Sequence, residues 1–199
     1  MNKTKKNRPV YKKTDFNSND GMLTSVWGPS MWHYLHTMSF NYPANPTCDE
    51  KQQYRNFVLS LKNVLPCGKC RANLCNNFKK LPLKMAHMDN RETFSKYIFN
   101  LHELINKMLG KKSGLTYNQV RERYEHFRAR CAKSYKDLRK DLRKTVKLTN
   151  KEKGCTEPLY GEKAKCVLRI VPDSKKIETL EIDDKCVKKR GLRELVEKQ

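Results

Sequence analysis

The two thiols of Cys67-Gly68-Lys69-Cys70 stand two residues apart, directly behind Pro66, at the head of a helical-looking run from Lys69 to Phe78. Cysteines at this spacing open and close disulfides, and they also form halves of zinc sites. The setting separates the two uses. A cysteine at a helix N-terminus feels the positive end of the helix dipole, so its thiolate is favoured and attacks disulfides readily. About thirty residues later, the segment Leu101 to Lys111 places His102 and Asn106 four apart, on one face of a second helix. A polar pair on an apolar stripe is costly to bury unpaired, so a group outside that helix should satisfy it.

The rest of the chain bounds the possibilities. Its 199 residues suffice for one domain with extensions, and only 37% are hydrophobic while 32% are charged. The net charge of +22 is spread: residues 1–26 carry +4, residues 27–131 carry +10 and residues 132–199 carry +8. No sequence-specific nucleic-acid motif accompanies this charge, which reads as solubility with a general attraction for acidic partners. The first 25 residues lack an apolar core, so a secretory signal is not expected, nor is a membrane span, since no run approaches 18 apolar residues. Eight cysteines without a secretory signal point to metal binding or catalysis rather than structural disulfides.

Periodicity predicts an all-α fold: a small four-helix bundle with a fifth short helix, followed by a C-terminal extension. Residues 1–24 read as a disordered basic arm. Residues 25–131 form the main domain, and residues 132–199 a basic extension. Pro29 fits the first turn of a helix running to about Phe40. Tyr54, Phe57, Val58 and Leu61 recur at three and four in a second helix, from about Asp49 to Val64. The third opens at the cysteine pair. Asp89-Asn90 caps a fourth, with Phe94, Ile98, Leu101 and Ile105 as its stripe and Gly110 as its stop. Thr116 caps a fifth, with Val120, Tyr124 and Phe127 inward. Residues 135–148 read as a solvated basic helix. Residues 166–171 and 177–182 alternate around Pro172-Asp173-Ser174, which predicts a β-hairpin. A Cys155–Cys166 disulfide is the expected staple of that tail.

The segment Trp27-Gly28-Pro29-Ser30-Met31-Trp32-His33-Tyr34-Leu35-His36 resembles the opening motif of the FAD-linked sulfhydryl oxidases of the Erv/ALR family. The family order continues through Tyr42-Pro43, then Pro66-Cys67-x-x-Cys70, then His102-Glu103-x-Ile105-Asn106-x-x-Leu109-Gly110-Lys111. Four motifs in order, from about Ser25 to Cys131, make the resemblance specific. The lysine and asparagine bias is similar to that of versions carried by large nucleocytoplasmic DNA viruses.

The resemblance implies a helical flavoprotein that oxidises protein dithiols and passes electrons through FAD to oxygen, giving hydrogen peroxide. It implies that Cys67 exchanges with substrate and that Cys70 lies against the flavin. The FAD-binding set it implies is Gly28, Trp32, His36, His102, Ile105, Asn106 and Lys111, with Arg123 and Tyr124 matching a late arginine–aromatic pair. Glu103 departs from the family's asparagine. The family's C-x16-C staple falls on Phe99 and Thr116 and is missing here. The expected partners are a protein dithiol, thioredoxin-like or structural, molecular oxygen and a second copy of the chain. The expected location is inside the cell: the host cytoplasm or the virion for a viral protein. Some family members shuttle electrons through a second cysteine pair, for which Cys155, Cys166 and Cys186 are candidates.

Other readings remain beside this one. A zinc-stapled basic module that binds nucleic acid could use Cys75 and His87 as further ligands, although no second C-x-x-C is present. A thioredoxin-like oxidoreductase would need strands around the cysteine pair. A binding protein could keep the fold and lose turnover. Taken alone, Trp32 is a core anchor, His36 a satisfied core histidine and Lys111 a solvated lysine.

Overall fold

The computed structural model describes residues 12–130, 155, 157–172, 174, 175, 177 and 180–188. The N-terminal part of the basic arm, the predicted helix at 135–148 and Cys131 lie outside these residues. Among the described residues six helices form in chain order: α1 Lys13–Phe16, α2 Thr24–Phe40, α3 Cys48–Val64, α4 Gly68–Lys80, α5 Arg91–Met108 and α6 Tyr117–Glu125. A 3-10 turn, Met85–Met88, precedes α5. The caps explain the boundaries. The Thr47 hydroxyl accepts the Glu50 N–H while Glu50 accepts the Thr47 N–H, and Thr116 with Gln119 repeats the arrangement. The Asn90 side chain accepts the Thr93 N–H at the start of α5. Gly110, at φ +67°, takes the left-handed turn just past its end.

Helix α2 differs from the expectation. It begins at Thr24, so Pro29 sits in its second turn rather than its first. Proline there removes a helix donor and crowds the preceding turn. The extra turn is held from outside: Met22 N–H donates to the Pro66 carbonyl at 2.8 Å, and the Trp27 indole donates to the Met22 carbonyl at 3.1 Å. Residues 21–24 therefore run against the head of α4 instead of belonging to a featureless arm.

The main core gathers Leu35 from α2, Val58 and Leu61 from α3, Leu74 from α4, and Phe94, Ile98 and Leu101 from α5. Helix α2 makes its broadest contact with α5, and α3 packs on α4. A smaller cluster of Phe40, Val120 and Tyr124 joins α6 to the far end of α2.

The expected hairpin is not present among the described residues. Among the described residues of 166–182 none is in a strand. Two strands without a third surface to cover are marginal, and Val167, Leu168 and Ile170 stand exposed. Described residues of the tail instead meet α6 and the segment just after it. Ala129–Arg130 (β1) pairs antiparallel with Glu157–Pro158 (β2), Leu180 packs on the smaller cluster, and Lys188 N–H donates to His126 Nδ1 at 3.0 Å. Gly161 passes so close to Cys186 that a Cβ would lie 2.6 Å from its carbonyl carbon. The Cys155–Cys166 staple is also overturned: Cys155 is disulfide-bonded but Cys166 is a free thiol, as is Cys186. Gly161 and Glu162 are held against Lys185 and Cys186, where the Glu162 N–H donates to the Lys185 carbonyl at 2.8 Å, and Cys166 lies exposed beyond them.

Tyr42 ties these parts together. It is 0% exposed, its hydroxyl donates to the Met88 carbonyl at 2.8 Å, and its own carbonyl accepts from Arg91 Nε at 2.6 Å. Burial, followed by the charges of Glu50, the Tyr54 phenol and Asp89, pushes the phenol up to about 12, so it remains a donor throughout the physiological range. Tyr42→Phe should cost about 1–3 kcal/mol by orphaning the Met88 carbonyl, and Tyr42→Ala about 3–5 kcal/mol by adding a cavity. Urea denaturation checks this; equal stabilities for the two variants would contradict it.

Candidate active site

The redox pair is built by the start of α4. Cys67 is the N-cap residue, and its Sγ accepts the Cys70 backbone N–H at 3.2 Å. The two sulfurs are joined in a disulfide with the Cα atoms 5.1 Å apart. Pro66 cannot continue α3, and the chain turns there into the new helix. Arg71 braces the turn by donating to the Leu65 carbonyl at 2.5 Å. Both cysteines are partly exposed, so a substrate thiol can reach them. The Thr24 hydroxyl lies 3.4 Å from Cys70 Sγ.

These contacts decide between the earlier readings. The sulfurs are bonded to each other, Cys75 is a separate free thiol, and no group of three or more metal-ligating side chains is gathered among the described residues. The zinc-stapled reading is not supported. Helices flank the cysteine pair on both sides, so the thioredoxin-like reading fails as well.

A second constellation forms where α2 faces α5. Trp32 and His36, four apart, share the inner face of α2. The Trp32 and His102 rings stack with centroids 3.9 Å apart and planes 6° from parallel. His36 Nε2 and His102 Nδ1 are 3.0 Å apart, one ring N–H donating to the bare nitrogen of the other. His36 is 4% exposed, and its Nδ1 is buried with no partner among the described residues. Burial, then the neighbouring His102 and His33, brings His36 down to about 3. Burial also lowers His102 to about 4, with Lys111 lowering it further and Glu103 opposing. Both rings are therefore neutral at neutral pH.

Tyr124 completes the wall from α6. Its hydroxyl lies 3.3 Å from His33 Nδ1, and its ring stacks on Phe40 at 5.4 Å. Burial raises its phenol, with Arg123 opposing. Ile105 packs on the main core. Asn106 Nδ2 donates to Glu103 Oε1 at 3.0 Å, so Glu103 is engaged on its own helix. The Lys111 backbone N–H donates to the Asn106 carbonyl at 2.8 Å, which leaves the lysine side chain exposed at the end of α5. Gly28 is buried in α2, and a Cβ there would meet only Thr24 Cγ2 at 3.5 Å. Among the described residues no neighbour demands a glycine at that position.

The structure thus brings Trp32, His36, His102 and Tyr124 together, with Ile105 and Asn106 on the adjoining face of α5. Two participants escaped sequence reasoning. His33 was legible as the residue three before His36, hence on the same side of α2. Thr24 carried no signal, because its role depends on a chain reversal that joins residues 22 and 66.

A sequence profile of the Erv1 / Alr family matches residues 29–125. A probable FAD-linked sulfhydryl oxidase of Acanthamoeba polyphaga mimivirus is 38% identical over 104 residues, covering 52% of this chain and 72% of that relative. An FAD-linked sulfhydryl oxidase of African swine fever virus is 30% identical over 99 residues, covering 50% and 80%. The crystal structure of the yeast Erv1 core aligns at 23% identity and a TM-score of 0.47 over 59% of this chain and 92% of that one. The profile spans the helices that carry the disulfide and the stacked rings, and the mimivirus relative matches over most of its own length: the chain belongs to the Erv1 / Alr family.

Proposed function

We propose that this chain is an FAD-dependent thiol oxidase that forms disulfides in protein substrates. The observation that carries the reading is the closed Cys67–Cys70 disulfide at the head of α4, in a chain whose α2 and α5 carry the family's ring residues. A substrate thiolate attacks Cys67 Sγ, and the electron pair of the broken bond leaves on Cys70. A second substrate thiolate then resolves the mixed disulfide, releasing the oxidised substrate and Cys67. Bound FAD supplies the two-electron acceptor that restores the pair and hands the electrons to oxygen as hydrogen peroxide.

The residues fit that cofactor. Neutral stacked rings suit an aromatic heterocycle, the orphaned His36 Nδ1 is a polar atom that a ligand can satisfy, and Gly28 leaves a stretch of α2 without a side-chain wall. Trp32, His36, His102, Ile105, Asn106 and Tyr124 would hold the nucleotide, with Lys111 and Arg123 as cations for its phosphates. Purified protein should be yellow, with one releasable FAD per chain. Cys67→Ser and Cys70→Ser should each keep the colour and lose at least about a hundredfold in dithiol oxidation, as expected when one partner of a two-thiol exchange is removed. A colourless chain that takes up no FAD, or either variant turning over normally, would sink the proposal.

The histidine pair makes stability depend on pH. Unfolded histidine titrates near 6.5, whereas His36 and His102 resist protonation down to about 3 and about 4. Below pH 6.5 the unfolded state therefore binds more protons, and stability falls as pH falls. The full contribution is present above 6.5 and is lost on descent toward the folded values, by up to about 1.4 kcal/mol per pH unit for each histidine. His36→Gln should flatten the slope of stability between pH 7 and pH 4 in urea melts. An unchanged slope would remove His36 from the account.

The proposal includes partners and place. Tyr34, 53% exposed, and Phe57, 38% exposed, pack edge to face at 6.1 Å on the outer sides of α2 and α3. With Val26 and Val64 also exposed on these helices, this patch supports a homodimer through α2 and α3. Phe57→Asp should yield a monomer by light scattering; a monomeric wild type would refute the dimer. No described helix is long and apolar enough to cross a membrane. The viral relatives support work in the host cytoplasm or the virion.

A further inference from the structure

We infer that the Thr24 hydroxyl is the hydrogen-bond donor that stabilises the Cys70 sulfur as the Cys67–Cys70 bond opens, and that residues 21–24 form a strap that holds it in place. The inference rests on the reading of Cys67–Cys70 as the exchanging pair. It adds a catalytic contact from residues that lie ahead of the family profile, which begins at residue 29.

Three contacts seat the strap. Met22 N–H donates to the Pro66 carbonyl at 2.8 Å. The Trp27 indole N–H donates back to the Met22 carbonyl at 3.1 Å. Gly21 lies so close that a Cβ would stand 3.0 Å from the Pro66 oxygen and 3.1 Å from Cys67 Cα. The chain just before α2 is thereby fastened to the residue just before the redox pair. Thr24, the first residue of α2, reaches Cys70 Sγ at 3.4 Å. A disulfide sulfur carries no hydrogen, so the hydroxyl is the donor.

The two sulfurs have different support. Cys67 Sγ accepts the Cys70 backbone N–H at 3.2 Å, at the positive end of α4. Cys70 sits within the first turn of that helix, and Thr24 is the donor that meets its sulfur. The difference matters for the first chemical step. When a substrate thiolate attacks Cys67 Sγ, one S–S bond forms, the Cys67–Cys70 bond breaks, and the electron pair and negative charge leave on Cys70. No other oxidant or proton enters. A leaving thiol of lower pKa departs faster, and a hydroxyl donating to a thiolate makes a charge-assisted bond stronger than the one it makes to the neutral disulfide. The contact therefore strengthens along the reaction, which is the condition for it to accelerate the step.

The test uses the full chain carrying Thr24→Val, which keeps the shape and removes the hydroxyl, and Thr24→Ser, which keeps the hydroxyl. The Thr24 side chain is exposed, so both should fold. Each protein is equilibrated with glutathione redox buffers without oxygen, alkylated, and read from the mass of the peptide spanning Cys67 and Cys70. T24V should lower the equilibrium constant for opening the disulfide about fivefold, or about 20 mV for this two-electron couple. The rate of opening by dithiothreitol should fall to a similar extent, and T24S should restore both values. A T24V protein matching wild type, or a T24S protein shifted as far as T24V, overturns the inference alone. A wild-type pair that does not exchange with glutathione overturns the exchange reading and the inference with it.

Discussion

The packing of α2 against α5 is the contact on which the site depends. Trp32 and His36 lie 66 or more residues from His102 in sequence, and only the helix pairing stacks one ring on another and closes the histidine hydrogen bond. Burial makes the charged form of each imidazole unfavourable. The result is a wall of uncharged rings, with the cations Lys111 and Arg123 near enough to act on His102 and Tyr124. An aromatic heterocycle with phosphates attached matches that distribution better than a metal ion or a phosphate alone. The same contact fixes α2, which begins at Thr24, beside Cys70.

Much of this was legible in the sequence because it is local. Caps at Thr47, Asn90 and Thr116 need only a side chain and the N–H three residues on. The stripe Phe94, Ile98, Leu101 and Ile105 needs only helical geometry. The order of the ring and cysteine motifs carried the candidate site. What escaped depends on distant chain. Pro29 looked like a helix start because proline is well tolerated there, yet the bond from Met22 to Pro66 sustains an earlier turn. The alternating residues at 166–171 and 177–182 looked like strands because alternation is a strand signal. The described residues among them join no sheet, and Leu180 instead finds an apolar surface made by Phe40, Val120 and Tyr124.

Glu103 shows how a departure from the family pattern can be absorbed. An acidic side chain beside a nucleotide's phosphates would be unfavourable, but here it accepts from Asn106 Nδ2 one turn along the same helix. That bond orients Asn106 and spends part of the carboxylate's hydrogen-bonding capacity within α5. Its charge also opposes the depression of His102 and outweighs the smaller effect of Lys111, though burial still holds the ring low. The substitution thus tunes the wall from the side without adding a charge to its face.

The missing C-x16-C staple has a physical replacement. Phe99 and Tyr117 meet edge to face at 5.9 Å where the family pattern would tie α5 to the start of α6, and the Tyr117 hydroxyl shares a 2.8 Å hydrogen bond with Ser95 Oγ. An aromatic pair contributes about 0.5–1.5 kcal/mol beyond its burial, against about 2–4 kcal/mol for a typical disulfide. The non-covalent link is therefore weaker, and Leu180 and Lys188 of the tail add contacts to the small cluster and to His126. It has a compensating property. Tyr124 must stay against His33 and Phe40 whether the surroundings are oxidising or reducing, and a link made of rings and a hydroxyl holds α6 in place without itself taking part in thiol exchange.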